Sequence, residues 1–390
     1  MTGSSTPHDK CDSKGREKAQ CLECLLYYHR VDIHVKKKHG FTVEQYLEKH
    51  PGAVVVSEAA ARASAKTTKV KEDHAVVVEK AKAEAFTPAE GDFRIGVARL
   101  KERKDLDEED VPHVPEHDPH FIIGDAEKER WEYLALGVQE RENVLIVGPT
   151  GCGKSVAVLQ LAAALGQPVQ RLNLHGEVRA ADFVGDKTVE VDPETKQAVV
   201  LWQDGILPTA MRKGHWLLLD ELDAAPAHVL FVLQAVLEKG MRLTLAANNG
   251  EVVKAHPDFH IIATANTLGR GDETGLYNGT NILNEAFLDR FGIVIQSGYP
   301  VSGTELSILK ERTGINGDDA ALMIRVAHDV RTALETETVY CSFSTRRLIA
   351  WAQATVRLGD VKRALKISVT NRLSSEDSTF ISGLVQRYWG

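Results

Sequence analysis

Along this chain, Val144-Leu145-Ile146-Val147, Trp216-Leu217-Leu218-Leu219 and Ile261-Ile262-Ala263 are continuously apolar. A run of that length between polar or turn-forming residues reads as a strand buried on both faces, as in a parallel sheet covered by helices. Val169 to Leu174 reads as a further strand. Between these runs the apolar spacing turns helical, at Glu127–Glu140, Val156–Leu165, Pro226–Lys239 and Leu283–Arg290. Pro226 suits a helix start, where its missing N–H costs nothing. Two segments read as β-hairpins. One pairs Thr188–Val191 with Ala198–Trp202. The other pairs Met241–Ala246 with Glu251–Lys254 around an Asn249-Gly250 turn. Beyond Val301 only helical periodicity remains, at Thr304–Arg312, Asp318–Glu335, Thr345–Arg357 and Thr379–Trp389. The expected fold is α/β: a core with a parallel sheet over residues 119–298 and a helical lid over 299–390.

The N-terminal part follows neither pattern. Residues 1–20 are polar and read as a disordered tail. Residues 21–52 hold a Cys/His cluster, and 53–118 read as a linker. Within it, Ser57 to Glu90 is rich in Ala, Lys and Glu, while Asp105 to Asp118 is acidic with two prolines and reads as an extended strap. The net charge of -8 argues against a chain-wide nucleic-acid surface but leaves room for a small basic patch. No apolar run approaches membrane-span length and the N-terminus lacks a signal-peptide core, so no membrane association and a cytoplasmic location are expected. The five cysteines imply no disulfide framework.

The first chemical landmark is Gly148-Pro149-Thr150-Gly151-Cys152-Gly153-Lys154-Ser155. It lies between a strand and a helix, the context a phosphate-binding loop needs. Glycines let backbone N–H groups turn around phosphate oxygens, and the helix start adds unpaired donors. Lys154 is expected to reach the β- and γ-phosphates of ATP, and Ser155 to bind Mg²⁺. About 65 residues later, the run from His215 ends in Asp220-Glu221. There Asp220 is expected to hold Mg²⁺ through water, and Glu221 to orient and deprotonate the attacking water. His260–Asn266 is another buried strand. Asn266 is placed to hold the same water or the γ-phosphate, or else merely opens a turn. Arg290 ends a helix and reads alone as an ordinary cation, and Arg346 opens a lid helix that could face the nucleotide. Gly269–Gly275 is glycine-rich with no chemistry assignable from its residues.

The second landmark is Cys21-x2-Cys24-x9-His34-x4-His39. Two thiolates and two imidazoles can close a tetrahedral Zn²⁺ site, and so small a unit needs metal binding to fold. His29 is a possible substitute ligand. The nine-residue gap resembles prokaryotic Ros/MucR-type fingers. Lys36, Lys37 and Lys38 could contact nucleic-acid phosphates, or the finger could dock on protein.

The stretch from Asn143 to Gln296 resembles AAA+ ATPases of the MoxR/CobS branch, and within it the CobS-like ATPase subunits of aerobic cobaltochelatase. Asp204-Gly205-Ile206-Leu207-Pro208, Ala263–Thr267 and Gly271–Thr280 carry that resemblance. It implies that Gly148 to Ser155 is Walker A, Asp220 and Glu221 are Walker B, and Asn266 is sensor 1. It also implies that Arg290 is an arginine finger offered to the next subunit and Arg346 the sensor 2 arginine. A ring of copies, usually six, follows from a finger used in trans. A partner with a von Willebrand A domain is common in the branch. The finger-bearing N-terminus resembles CobS-like ATPases of phages and mobile elements. Three functions are thus in view: a partner-remodelling ATPase ring, a cobaltochelatase subunit in cobalamin biosynthesis, and a zinc-dependent nucleic-acid-binding protein with the ATPase as a switch.

Overall fold

The computed structural model describes residues 18–28, 31–57, 84–85, 92–191, 196–268 and 279–390. Most of the expected tail, linker segments 58–83 and 86–91, His29 and the loop from Gly269 to Gly275 lie outside the described residues. The chain divides into two units, Met1–Lys80 and Ala81–Gly390.

The larger unit is built on five parallel strands: β1 (Val144–Val147), β2 (Val169–Asn173), β3 (Trp216–Asp220), β4 (His260–Ala265) and β5 (Ile293–Gln296). Their order across the sheet is β5-β1-β4-β3-β2. Because side chains alternate across a strand, each run feeds two cores at once. Leu145, Val147, Leu217, Leu219, Ile261 and Ala263 enter one cluster. Val144, Ile146, Trp216, Leu218 and Ile262 enter the other. This double burial is why the runs are continuously apolar rather than alternating.

Helices α1 (Lys128–Glu140) and α2 (Lys154–Ala164) cover one face. Helix α3 (Ile206–Lys213) and residues 222–237 cover the other. The lid is all helical: α4 (Ser302–Thr313), α5 (Gly317–Glu335), α6 (Thr345–Leu358), α7 (Val361–Ser368) and α8 (Ser375–Trp389). Its core gathers Met323, Phe343, Trp351, Leu365 and Ile381. Both expected hairpins form, Gly185–Val191 with Ala198–Asp204 and Arg242–Leu245 with Glu251–Lys254. In the second, Asn249 and Gly250 both take positive φ, 53° and 74°, as that turn requires.

The linker expectation is corrected at its C-terminal end. A hairpin of Asp92–Ile95 and Ala98–Lys101 packs on the sheet's helical layer, with Phe93, Ala98 and Leu100 buried. The Glu132 carboxylate accepts from the Val97 N–H at 2.8 Å, and the Gln139 carbonyl from the Arg99 N–H at 2.6 Å. The acidic strap is docked as well. Asp110 is buried and pairs with Lys213 at 2.8 Å, while Arg103 donates to the carbonyls of Gly214 and Lys213.

Two expected helices are shorter. Pro226–Lys239 is α-helical only over Ala227–Leu230 and then 3-10 over Phe231–Leu233, although Val229, Leu230, Leu233, Val236 and Leu237 still turn inward. The helix expected over Leu283–Arg290 spans Glu285–Leu288, capped by the Asn284 side chain. Helix α7 was not expected.

In the smaller unit, a two-residue hairpin (Ala19–Gln20 with Tyr27–Tyr28) precedes a helical turn, Val31–His34, which widens into a π-helical turn, Val35–His39. Gly40 ends it at φ 74°. A helix over Val43–Lys49 follows, started by a Thr42/Gln45 capping box. Cys21, Val31, Val35 and Tyr46 form the core.

Candidate active site

The sheet order brings together residues far apart in sequence. β4 lies between β1 and β3. The phosphate loop after β1, Asn266 after β4 and Asp220-Glu221 at the end of β3 therefore emerge side by side at the strands' C-terminal edge, where open α/β sheets bind ligands.

In the loop, Gly151 and Gly153 take φ of 74° and 100°, conformations costly for other residues. Lys154 is 9% exposed. Its ammonium donates to the carbonyls of Gly148 (2.6 Å) and Pro149 (3.1 Å) and to Asn266 Oδ1 (3.0 Å). Burial pulls its pKa below the usual lysine value, against the opposing charges of Asp223, Asp220 and Glu221 nearby. Thr150 Oγ1 donates to the same Asn266 oxygen at 3.2 Å. Asn266 thus faces the loop rather than simply opening a turn.

Asp220 is 4% exposed. Its Oδ1 accepts from Ser155 Oγ at 2.5 Å and Thr264 Oγ1 at 2.6 Å. Its Oδ2 accepts from the Arg171 guanidinium, Nε at 2.8 Å and a terminal nitrogen at 2.5 Å. The Ser155 hydroxyl and an Asp220 oxygen in direct contact form the oxygen-donor pair that Mg²⁺ takes in phosphate-loop sites. Glu221 follows in the left-handed region, φ 60° and ψ 50°, its N–H donating to Thr264 Oγ1 and its side chain exposed. A non-glycine residue there carries strain, and such strain concentrates at functional sites.

The sequence reading missed Asp223. It is fully buried, and its Oδ2 accepts from the N–H groups of Asn266 (3.0 Å) and Thr267 (2.7 Å) and from Thr267 Oγ1 (2.9 Å). Arg171, in the middle of β2, was missed too. Nothing in the local pattern singles out either residue, since each acts through a strand that joins it only in three dimensions.

Beside the loop a cavity of about 290 Å³ opens between core and lid. Gly151 to Lys154 and Arg346 line it together with apolar Phe121, Trp131, Ile146, Ile295 and Ile349. Its size and mixed lining suit a nucleotide base and sugar. Arg346 is thereby brought to the site of its own chain. Arg290 is not. It precedes β5, and Asn143, which precedes β1, donates to the Arg290 carbonyl at 2.8 Å. Both lie at the strands' N-terminal edge, a strand length of roughly 13 Å from the phosphate loop at about 3.3 Å per residue. The Arg290 guanidinium donates to the Ala286 carbonyl and to Glu238 Oε1 (3.3 Å), while its buried Nε has no partner among the described residues.

In the smaller unit, ligand atoms of Cys21, Cys24, His34 and His39 all lie within 4.8 Å of one another. Cys24 Sγ is 3.3 Å from His34 Nε2, which is 3.2 Å from His39 Nε2. The five-residue spacing of the histidines meets one turn of π-helix, whose i→i+5 bonds bring residues five apart onto one side.

Two family models match: the AAA domain of the dynein-related subfamily over residues 143–291, and the CbbQ/NirQ/NorQ C-terminal domain over 305–386. The aerobic cobaltochelatase subunit CobS of a Sinorhizobium species is 34% identical over 283 residues, covering 71% of this chain and 83% of that protein. An uncharacterised protein of Staphylococcus haemolyticus is 31% identical over 237 residues, 60% of this chain and 86% of the relative. Among solved structures, a mutant RuvB of Thermotoga maritima aligns at 13% identity and a TM-score of 0.40, covering 65% of this chain and 69% of that one. A phosphate loop at the switch point of a β5-β1-β4-β3-β2 sheet, a helical lid, and similarity running through both to a CobS protein lead to one conclusion: the chain belongs to the AAA+ ATPases of the CobS/MoxR type.

Proposed function

We propose that this protein hydrolyses ATP at the interface between neighbouring copies in a ring, and that hydrolysis remodels a bound partner. One observation carries the reading. Lys154, Ser155, Asp220 and Asn266 converge at one edge of the sheet, whereas Arg290 lies at the opposite edge of the same chain. A finger that cannot reach its own nucleotide is available to a neighbour's across a head-to-tail interface, which in this reading closes into a ring, six copies being the expected number.

In this reading the N–H groups from Gly148 to Ser155 cradle the phosphates and Lys154 neutralises the β- and γ-oxygens. Ser155 and Asp220 would hold Mg²⁺, which would supply charge stabilisation to the phosphates. Glu221 accepts a proton from the attacking water, Asn266 orients that water or the γ-phosphate, and Arg346 and a neighbour's Arg290 counter the developing charge. Cys21, Cys24, His34 and His39 supply a donor set that suits Zn²⁺, which would staple the N-terminal unit. A von Willebrand A-domain protein is the proposed partner, the finger a dock for protein or nucleic acid, and the cytoplasm the place of action.

The CobS relative favours a second reading, an ATPase subunit of a cobaltochelatase. Cobalt insertion into a corrin ring with matching partner subunits would establish it.

For the leading reading, Glu221→Gln should lower ATP turnover by at least about 100-fold while leaving nucleotide affinity within about threefold. Affinity purification of that variant should then retain the remodelled partner. Wild-type turnover by Glu221→Gln would refute the role given to Glu221.

A further inference from the structure

The phosphate loop touches the lid directly. A Cβ placed on Gly151 would lie 2.7 Å from the Cβ of Ser344 and 3.6 Å from that of Arg346. Ser344 is the N-cap of α6, its side chain accepting from the Arg347 N–H at 3.3 Å. Loop backbone and helix start are therefore packed with no room for a methyl group between them.

A second connection runs through the link between β5 and α4. Its first residues are pinned to the core, where Arg130 donates to Ser297 Oγ at 3.2 Å and the Gly298 carbonyl at 3.1 Å. Next comes Tyr299, whose hydroxyl donates to the Thr150 carbonyl of the phosphate loop at 3.3 Å. The Arg331 guanidinium lies 4.0 Å from the centre of the Tyr299 ring. Arg331 is fixed on every other side. It makes a two-pronged pair with Glu305 at 2.8 and 2.9 Å, and its Nε donates to the Phe343 carbonyl at 2.8 Å. Glu305 is 1% exposed, and its Oε1 also accepts from Thr345 Oγ1 at 2.6 Å. Thr345 is the first residue of α6, and Arg346 is the next.

Named contacts thus lead from a phosphate-loop carbonyl through Tyr299, Arg331, Glu305 and Thr345 to Arg346. A buried ion pair is a weak source of stability, since apolar side chains of similar volume usually hold a core as well. What the two-pronged pair supplies is direction. A planar guanidinium bonded on three sides fixes angles that apolar packing would leave loose.

We infer that Tyr299, Arg331 and Glu305 are positioning residues through which the state of the phosphate loop sets the tilt of α6, and with it the placement of Arg346 over the nucleotide. This deepens the ATPase reading and rests on it. When the loop closes on phosphate, the Thr150 carbonyl moves with it. Tyr299 then carries the shift to the Arg331–Glu305 pair and on to the start of α6.

The test compares the full-length protein with Tyr299→Phe, which keeps the ring under Arg331 and removes only the hydroxyl. ADP and ATP binding, ATP turnover, and amide hydrogen exchange of residues 345–351 with and without ADP are measured, with Glu221→Gln alongside. Loss of one hydrogen bond used in positioning should lower kcat about tenfold. KM should stay within about threefold, and the protection that ADP confers on residues 345–351 should largely disappear. Arg331→Lys, which keeps the charge but not the fork, should not behave as wild type.

Wild-type kcat together with wild-type protection in Tyr299→Phe would overturn the inference. So would a loss of affinity matching the loss of turnover with protection intact at saturating ADP. Failure of the ATPase reading itself shows differently, as undiminished turnover in Glu221→Gln. Exchange at residues 345–351 needs only bound ADP and reports on the relay in either case.

Discussion

Asp220 offers two oxygens, and the fold uses both. Oδ1 receives two hydroxyls, and Oδ2 receives the Arg171 guanidinium. The carboxylate is held in one orientation beside the phosphate loop, as a metal-holding group needs to be. The sequence exposed Asp220, Glu221 and Lys154 because each sits at a fixed offset from an apolar run or a glycine turn. Asp223 and Arg171 had no such marker, because their roles arise from strand neighbours. His260, at the start of β4, has a structural role. Its Nε2 is 2.5 Å from the Val138 carbonyl, and burial lowers its pKa to about 4 despite that bond. Between the unfolded value near 6.5 and the folded value near 4, the unfolded chain binds the extra proton. Stability should therefore be complete above about pH 6.5 and fall as pH drops towards 4, by on the order of 3 kcal/mol from this residue. Chemical denaturation across pH 4 to 7 should show a shallower slope for His260→Gln than for the wild type. Identical slopes would remove His260 from the account.

At the scale of elements, legibility followed burial. The continuously apolar strands could be placed from sequence, because burial on both faces leaves no polar position to confuse the pattern. The Asp92–Lys101 hairpin could not, because its buried positions, Phe93, Ala98 and Leu100, are few and lie among charged residues. Helix α7 was missed although its signals are present. Gly359 takes φ 65° to end α6, and Asp360 accepts from the N–H groups of Lys362 and Arg363, both at 2.9 Å. A glycine stop followed by an aspartate start is a local mark of one helix following another. Asp360→Ala should cost about 1 kcal/mol in denaturant unfolding, and Asp360→Asn much less. Equal losses in the two variants would argue that the charge matters rather than the cap.

At the scale of the whole molecule, the chain combines a nucleotide machine with a separate N-terminal unit. Among the described residues, the buried core of the smaller unit is Cys21, Val31, Val35, Tyr46 and Ala19, little apolar area to hold so short a segment without a staple. Removing zinc with a zinc-selective chelator in excess Mg²⁺ should therefore unfold residues 18–57 while leaving the ATPase unit and its turnover intact. Hydrogen exchange on the same sample reads both regions. Protection of residues 18–57 that survives complete removal of zinc would rule out the staple. Spacing alone brought the four candidate ligands to notice, whereas the π-helical turn that lets His34 and His39 converge is a packing outcome with no sequence mark. The proposed ring is equally hidden from a single chain. What points to it is Arg290 at the wrong end of its own sheet.

That placement yields the most direct test of the central claim. Glu221→Gln and Arg290→Ala should each be inactive as pure assemblies. Co-expressed in one assembly, the Glu221→Gln copy lends its intact Arg290 to the neighbouring Arg290→Ala copy, whose Glu221 is intact. Random mixing makes about a quarter of the interfaces complete, so ATP turnover should return to roughly that fraction of wild type. A co-purified mixture that stays as inactive as its parents, or Arg290→Ala rings that turn over at the wild-type rate alone, would contradict hydrolysis between neighbouring copies.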